Sequence, residues 1–333
     1  MFGIYRTILA LVVVVEHIGD IPMIGRCAVF GFYILSGYLM TLILHTSYGY
    51  SWQGFKLYSL NRILRIYPLY WAGCLLSIAI ILWVGREFSR DYLGTMFLPR
   101  NLESAIRNFL IFFSIRTTPR LVSPTWALSV ELLFYFLIGM GISRTRKISL
   151  LWFITSIIYA VYVNYANLDW NYRYYSVFAA SLPFSTGALI YHYNKELTGF
   201  SIFQNKATLP ILAGIMLAVF YFISPGSKVI RVTGFYFSYI LQSMMIISLS
   251  SKNIHPLVPS SMDGWLGYFS YPIYLTHYQA GLIISKLTSL PRGDLKLLLL
   301  TIPLVLAISL ILIYVIEYPF ENLRRKLKQK FDQ

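Results

Sequence analysis

Long apolar runs separated by short polar connectors follow one another along the whole chain. A membrane-spanning helix needs about 20 mainly apolar residues, and the pattern predicts about ten such helices. The predicted spans are Ile4–Ile18, Ala28–Leu44, Pro68–Val84, Thr125–Ile142, Ile148–Val163, Tyr174–Tyr191, Leu209–Ile223, Thr233–Ser250, Leu266–Leu287 and Leu297–Tyr318. The run Phe109–Ile115 is apolar but too short to cross, which indicates an interfacial or re-entrant segment. We therefore expect an all-α, polytopic integral membrane protein with one domain over residues 1–333.

Composition supports the same class. Hydrophobic residues make up 57% of the chain and charged residues only 12%, whereas soluble domains carry roughly 25% charged residues. So few charges leave too little polar surface to cover a soluble globule. The two cysteines, Cys27 and Cys74, form no CxxC pattern, so we expect them to pack as small apolar side chains.

The net charge of +15 lies in the connectors between apolar runs. In that position the positive charge is explained by contact with anionic lipid headgroups and by the orientation of the helices in the membrane, and it does not indicate a nucleic-acid partner. An even number of spans puts both termini on one side of the membrane. The basic tail 321–333 predicts that this side is the cytoplasm, and the long loop 85–124 is then predicted to be extracytoplasmic.

Ionisable residues inside spans are costly, so each is a functional candidate. Arg6 and His17 lie eleven residues apart, which places both on one helical face, about 16 Å apart along the axis. The pattern indicates a cation for a phosphate-bearing donor and, further along the same face, a histidine base. A snorkelling arginine and a packed, hydrogen-bonded histidine explain the same spacing, and the spacing leaves both interpretations open.

Arg62 and Arg65 share a helical face just before the third predicted span, next to Tyr67. Two neighbouring guanidinium groups suit phosphate oxygens, and we expect these residues to contact a phosphate-bearing cofactor. Ordinary anchoring of a cytoplasmic helix end is the alternative interpretation.

Glu131 lies about a turn and a half into an apolar helix. A buried carboxylate needs a partner or a proton, and we expect His17, Arg6 or another arginine to be that partner. Trp126 and Ser129 precede Glu131 on the same predicted helix and are possible cavity-lining residues.

Two further segments combine small and polar residues. Gly31, Ser36 and Gly37 form a small face that indicates close helix packing. Polar side chains near this face and on the ninth predicted span are possible cavity-lining residues, with packing as the alternative: Tyr33, Ser36, Tyr38, Tyr271 and His277. No metal-binding pattern of His, Cys, Asp or Glu is present, so no metal is expected.

Six segments in order resemble the acyltransferase-3 family of membrane acyltransferases. They are Arg6-x10-His17, Phe30–Leu39, Arg62-x-x-Arg65-Ile66-Tyr67-Pro68, Trp126–Glu131, Ser270–His277 and Glu317–Phe320. The resemblance implies that His17 is the family's essential histidine, with Arg6 as its partner and Glu131 as its acidic residue. It also implies that Arg62 and Arg65 are the family's arginine pair. The chain departs from the family pattern at Ile4–Thr7, where a Leu-Arg-Gly start is usual, and at Ala127, where Ser or Thr is commoner.

That family commonly transfers acetyl groups from acetyl-CoA to sugar hydroxyls. The resemblance implies a stand-alone O-acetyltransferase of a bacterial inner membrane that acts on a surface polysaccharide such as O-antigen. Acetyl-CoA would be a cosubstrate and not a permanently bound cofactor, and the other partners would be the sugar acceptor and membrane lipid. Direct attack by the sugar and a transient acetyl-His17 remain open as routes. The alternative function is a proton-coupled transporter or glycan flippase in which His17 and Glu131 relay protons.

Overall fold

A computed structural model describes residues 1–112, 120–251 and 258–332, with side chains up to residue 329. Helix makes up 83% of the structure, and no strand occurs in those residues, which confirms the all-α class. The α-helices are α1 (Phe2–Gly19), α2 (Ile24–Ile43), α3 (Trp52–Val84), α4 (Arg86–Tyr92), α5 (Leu102–Phe109), α6 (Trp126–Gly139), α7 (Arg146–Tyr165), α8 (Val177–His192), α9 (Asn194–Thr198), α10 (Ser201–Gln204), α11 (Thr208–Ile223), α12 (Lys228–Ser250), α13 (Ser260–Thr288), α14 (Leu295–Leu312) and α15 (Tyr318–Asp332). Single π-helical turns extend α2 and α14 and precede α8.

Six helical stretches among the described residues are long and apolar enough to cross a membrane. They are Phe2–Gly19, Ile24–Tyr48, Trp52–Val84, Arg146–Tyr165, Lys228–Ser250 and Leu295–Gln329. Every one of the ten predicted spans contains helix, but α6, α8 and α11 have only 14, 16 and 16 residues. The long helix α13 also falls outside the six, and it carries a polar series that includes Ser270, Thr276 and Gln279. The chain is a multi-pass, all-helical membrane protein, and the count of ten stays a prediction.

The helices group into two compact units. Unit 1 comprises Met1–Phe2, Pro22–Ser59 and Val130–Asp263, which include α2 and α7 to α12. Unit 2 comprises Gly3–Ile21, Leu60–Ser129 and Gly264–Gln333, which include α1, most of α3, α4, α5 and α13 to α15. Each unit therefore joins segments that are distant in sequence.

In unit 1, α2 and α8 touch through their backbones. A methyl group on Gly37 would overlap the carbonyl group of Phe184, and one on Gly187 would overlap the carbonyl oxygen of Ile34. Small residues permit such close approach, and this contact is a main source of attraction between helices in lipid. The predicted packing face of α2 is confirmed at Gly37. Its partner Gly187 carried no sequence signal of its own, because single glycines are common in membrane helices.

Replacing Gly187 with alanine is expected to destabilise unit 1, because the added methyl group forces two backbones apart. Overpacking of this kind costs about 1–3 kcal/mol, which thermal unfolding of the purified protein in detergent would detect as a lower midpoint. Gly214 is a matched control on α11, since a methyl group there meets no atom within 4 Å. Equal midpoints for Gly187→Ala and Gly214→Ala would contradict the backbone contact.

In unit 2, the segment after α3 folds back along that helix. Near the end of α5, backbone oxygens accept hydrogen bonds from α3: Asn108 from the Tyr70 hydroxyl (2.6 Å), Phe109 from the Trp71 indole (3.1 Å) and Leu110 from the Tyr67 hydroxyl (2.9 Å). These donors lie 13 to 17 residues before α3 ends at Val84, a distance of about 20–25 Å along the helix axis. An interfacial or re-entrant position of this segment stays a prediction, and residues 113–115 of the predicted run lie outside the described part of the chain.

Candidate active site

In unit 2, α1 and α13 run side by side, and the two predicted polar residues of α1 both face α13. At one end, Arg6 packs over Gly267, where an added methyl group would lie 2.8 Å from the guanidinium atom Nη2. At the other end, His17 Nδ1 lies 2.9 Å from His277 Nε2. Residue numbers rise in the same direction in both helices, so α1 and α13 are parallel. The eleven-residue spacing correctly predicted a shared face for Arg6 and His17.

The imidazole of His17 is half-buried in a stack of rings. It lies against Tyr278 with a centroid distance of 4.9 Å and an interplanar angle of 20°. The ring of His277 lies at 5.1 Å and 18°, and its side chain is 0% exposed. The Arg292 Nε group donates to the backbone oxygen of His17 at 3.0 Å. These contacts fix the ring of His17 and place a cation at the C-terminal end of α1, where the helix dipole favours positive charge.

A buried hydroxyl group lies close to this histidine pair. The Tyr92 hydroxyl packs against Gly281, which lies one helical turn beyond His277. The contact is so close that a methyl group on Gly281 would overlap the hydroxyl. That hydroxyl has no hydrogen-bond partner among the described residues. Burial raises the pKa of Tyr92, although the nearby charge of Arg292 lowers it. The phenol therefore stays protonated and offers a hydrogen-bond donor.

Sequence reasoning missed Tyr92 and Arg292. Both lie in connectors between predicted spans, so neither was singled out as an ionisable residue inside a span. Only the tertiary fold brings them to His17.

The opposite end of α13 carries an ion-pair cluster. Arg65 pairs with Glu317, which is 4% exposed and also pairs with Arg324 at 3.0 Å. Arg324 pairs in addition with Glu321. The guanidinium group of Arg65 lies 5.8 Å from the ring centroid of Tyr268, next to Gly267. Arg6 and Arg65 therefore contact α13 at adjacent residues.

The other members of the predicted cofactor site have different partners. Arg62 donates to the side-chain oxygen of Asn61 at 2.6 Å. The Tyr67 hydroxyl is bonded to the Leu110 oxygen in the folded-back segment. A contact of Arg62, Arg65 and Tyr67 with a phosphate-bearing cofactor stays a prediction.

Contacts along α13 define the distance between the two ends of the site. Arg6 contacts α13 at Gly267 and His17 contacts it at His277. These two contacts are therefore about 15 Å apart along the axis of α13. Between them, the hydroxyls of Tyr271 and Tyr274 donate to the backbone oxygens of Ile66 (2.9 Å) and Pro124 (2.8 Å). These two bonds tie α3 and the start of α6 to the same helix. Unit 2 thus has cations at one end of α13 and an imidazole at the other.

Glu131 belongs to unit 1, where hydroxyl groups hold it. Ser36 Oγ donates to Glu131 Oε1 at 2.7 Å, and the Tyr135 hydroxyl donates to the same oxygen. Ser36 was a predicted cavity residue, but Tyr135 was missed although it lies one turn after Glu131. The expected pairing of Glu131 with His17, Arg6 or another arginine stays a prediction, since His17 and Arg6 belong to unit 2.

The remaining predicted cavity residues have protein contacts of their own. Tyr33 is buried and stacks on Phe184 at 4.9 Å, and Tyr38 is buried near the ring of Tyr191. Ser129 donates to the backbone oxygen of Trp126 at 2.7 Å. Whether these residues line a cavity stays a prediction. Within the described ranges, no three His, Cys, Asp or Glu side chains come together as a metal site would need.

A family model described as an acyltransferase domain matches residues 3–318, nearly the whole chain. The chain belongs to the acyltransferase-3 family. No curated protein and no solved structure matches it. As an acyltransferase-3 protein it is a membrane acyltransferase, and the match includes the histidine pair and the ion pair of Arg65 with Glu317. In this acyltransferase-3 member, α13 thus carries two chemically different clusters, one of arginines near Gly267 and one of imidazoles at His277.

Proposed function

We propose that this acyltransferase moves an acetyl group from acetyl-CoA to a hydroxyl group of a cell-surface polysaccharide, such as O-antigen, at the bacterial inner membrane. The observation that carries the proposal is the arrangement along α13. Arg6 contacts α13 at Gly267 and Arg65 contacts it at Tyr268, whereas His17 contacts it at His277. Coenzyme A has the matching shape, since an extended arm separates its phosphates from its thioester.

The arginine end suits the phosphates of the donor. Arg65 is held by Glu317 and thereby fixed on the helix bundle. Arg62 lies one turn earlier on α3 and adds charge on the same face. In this arrangement Arg6 and Arg62 attract the polyanionic donor and Arg65 mainly holds the site together. With both termini in the cytoplasm, this end faces the compartment that contains acetyl-CoA.

The histidine end suits the acyl transfer itself. In the direct route, His17 takes the proton from the sugar hydroxyl, the sugar oxygen attacks the thioester carbonyl carbon, and the carbon–sulfur bond breaks. The proton on His17 then passes to the departing thiolate. In the two-step route, His17 attacks the thioester carbon and the carbon–sulfur bond breaks, so that coenzyme A leaves as a thiolate. The sugar oxygen then attacks the acetyl carbon, the carbon–nitrogen bond to His17 breaks, and the sugar proton passes through solvent to the thiolate. In both routes Arg292 supplies positive charge and the buried Tyr92 hydroxyl supplies a hydrogen-bond donor near the carbonyl oxygen as it becomes negative.

Replacing Arg62 with alanine is expected to raise the KM for acetyl-CoA by about tenfold or more, with little change in kcat. A hydrogen bond to a charged group contributes about 1.5–3 kcal/mol, and the lost contact serves binding and not the chemical step. Initial rates at varied acetyl-CoA concentration would measure the change. Arg325 is the matched control, because its side chain is 66% exposed, and Arg325→Ala should leave KM within about twofold. An unchanged KM in Arg62→Ala would remove Arg62 from the donor site.

The proposed function is tested by mass spectrometry of surface glycan from cells with and without the gene. We expect a mass gain of one acetyl group per modified residue that depends on the gene and disappears after mild alkali, as an ester does. No gene-dependent mass change in any glycan fraction would contradict a polysaccharide acceptor. A gain that resists alkali would contradict transfer to oxygen.

A further inference from the structure

The imidazoles of His17 and His277 form a hydrogen-bonded pair. The surroundings of the buried ring, His277, determine which nitrogens of the pair carry hydrogen. His277 Nδ1 lies 3.2 Å from the backbone oxygen of Ile273. A carbonyl oxygen only accepts hydrogen bonds, so His277 Nδ1 carries a hydrogen. In a neutral imidazole the other nitrogen, Nε2, is then an acceptor.

Burial favours this neutral form of His277. The side chain is 0% exposed, and a buried charge needs an opposite charge beside it. The nearby charge has the wrong sign, because Arg292 bonds to the His17 backbone and lies 5.7 Å from the ring centroid of Tyr278. A second cation at His277 would be repelled.

The hydrogen of His17 is therefore assigned as well. His17 Nδ1 lies 2.9 Å from the acceptor Nε2 of His277, so His17 Nδ1 is the donor. In neutral His17, the other nitrogen, Nε2, then carries the lone pair. A partner that binds one ring nitrogen in this way decides which nitrogen carries the lone pair.

We propose that His277 is a positioning residue that holds His17 in the tautomer whose Nε2 accepts the proton or the acetyl group. His277 acts through His17 and does not touch the substrate, while the stacked ring of Tyr278 fixes the plane of the imidazole. The inference rests on the proposed function for its catalytic consequence. It applies to both routes, because both need a lone pair on His17 Nε2.

Two substitutions of similar chemistry and different reach test the role of His277. In His277→Gln, the longer side chain places an amide oxygen near the position of Nε2, where it can accept from His17 Nδ1. In His277→Asn, the shorter side chain reaches only the position of Nδ1, near Ile273. We expect kcat of the Gln variant within about tenfold of the wild type and a loss of about 10- to 100-fold in the Asn variant, with the KM for acetyl-CoA unchanged in both. Wild-type kcat in the Asn variant would overturn the proposal.

The tautomer itself can be observed without any activity. Solid-state ¹⁵N NMR of the full-length, histidine-labelled protein in lipid bilayers, with a His17→Gln sample for assignment, should show a protonated Nδ1 and an unprotonated Nε2 on His17. A protonated Nε2 would overturn the proposal even if both His277 variants fail to fold. If wild-type protein transferred no acetyl group, or if His17→Ala matched it, the proposed function would fail. The NMR result would still decide the tautomer, so the two failures are distinguishable.

Discussion

Acyl transfer by the His17→Ala protein is expected to be about 10²- to 10⁴-fold slower in kcat than transfer by the wild type, the range that general-base catalysis contributes. His17 is the imidazole that α13 fixes in place through His277 and Tyr278. Alanine removes the lone pair that accepts the sugar proton or the acetyl group. Initial rates of acetyl transfer from acetyl-CoA, normalised to the amount of purified protein, would measure the loss. The KM for acetyl-CoA should stay unchanged, because the arginine end lies about 15 Å away along α13.

Glu16 is the matched control for His17. It is the adjacent titratable residue on α1 and lies about 100° around the helix from His17. We expect Glu16→Gln to keep kcat within about threefold, because glutamine has the same size and the residue lies off the helical face that His17 turns to α13. A His17→Ala protein that transfers acetyl groups at the wild-type rate would exclude His17 from both routes.

Glu317→Gln is expected to lower the free energy of unfolding by about 3–5 kcal/mol, the cost of breaking a buried ion pair from one side. The Glu317 carboxylate lies between Arg65 and Arg324, and the two side chains are only 17% and 7% exposed. Glutamine removes the negative charge and leaves two guanidinium groups close together in a poorly solvated site. Thermal unfolding in detergent would show the loss as a lower midpoint.

Glu321 provides the comparison for this cluster. It pairs with Arg324 and with Arg325, but its side chain is 21% exposed. Solvent weakens these pairs, because Glu321 is partly exposed and Arg325 is 66% exposed. Glu321→Gln should therefore lower the free energy of unfolding by about 1 kcal/mol or less. A midpoint for Glu317→Gln equal to that of Glu321→Gln would contradict a structural role for the Glu317 pairs.

Hydrophobic periodicity predicted where helices form, because an apolar run of sufficient length in lipid must satisfy its own backbone. It predicted the helical regions well, but it treated α6 as an ordinary span. The Tyr274 hydroxyl bonds to Pro124, just before α6 begins at Trp126. The helix α6 thus begins beside the middle of α13, and it has only 14 residues. The length of an apolar run in the sequence does not show where its helix begins relative to a neighbouring helix.

The site was predictable to the extent that its members share one helix. Helical geometry placed Arg6 and His17 on one face, and the structure confirms that face. Partners that meet only through tertiary contacts were beyond sequence reasoning. The sequence suggested His277 as a cavity residue and gave no reason to join it to His17, 260 positions away. The pairing of Arg65 with Glu317 across 252 positions was equally invisible.

The parallel packing of α1 and α13 restricts how the chain is threaded through the bilayer. Two adjacent helices that both cross in the same direction require an odd number of crossings in the chain between them. Four long apolar helices lie in that interval, namely α2, α3, α7 and α12, and four is even. If α13 crosses beside α1 and each of these four helices crosses once, we expect one or all three of the shorter helices α6, α8 and α11 to cross as well, because parity then requires an odd number of crossings.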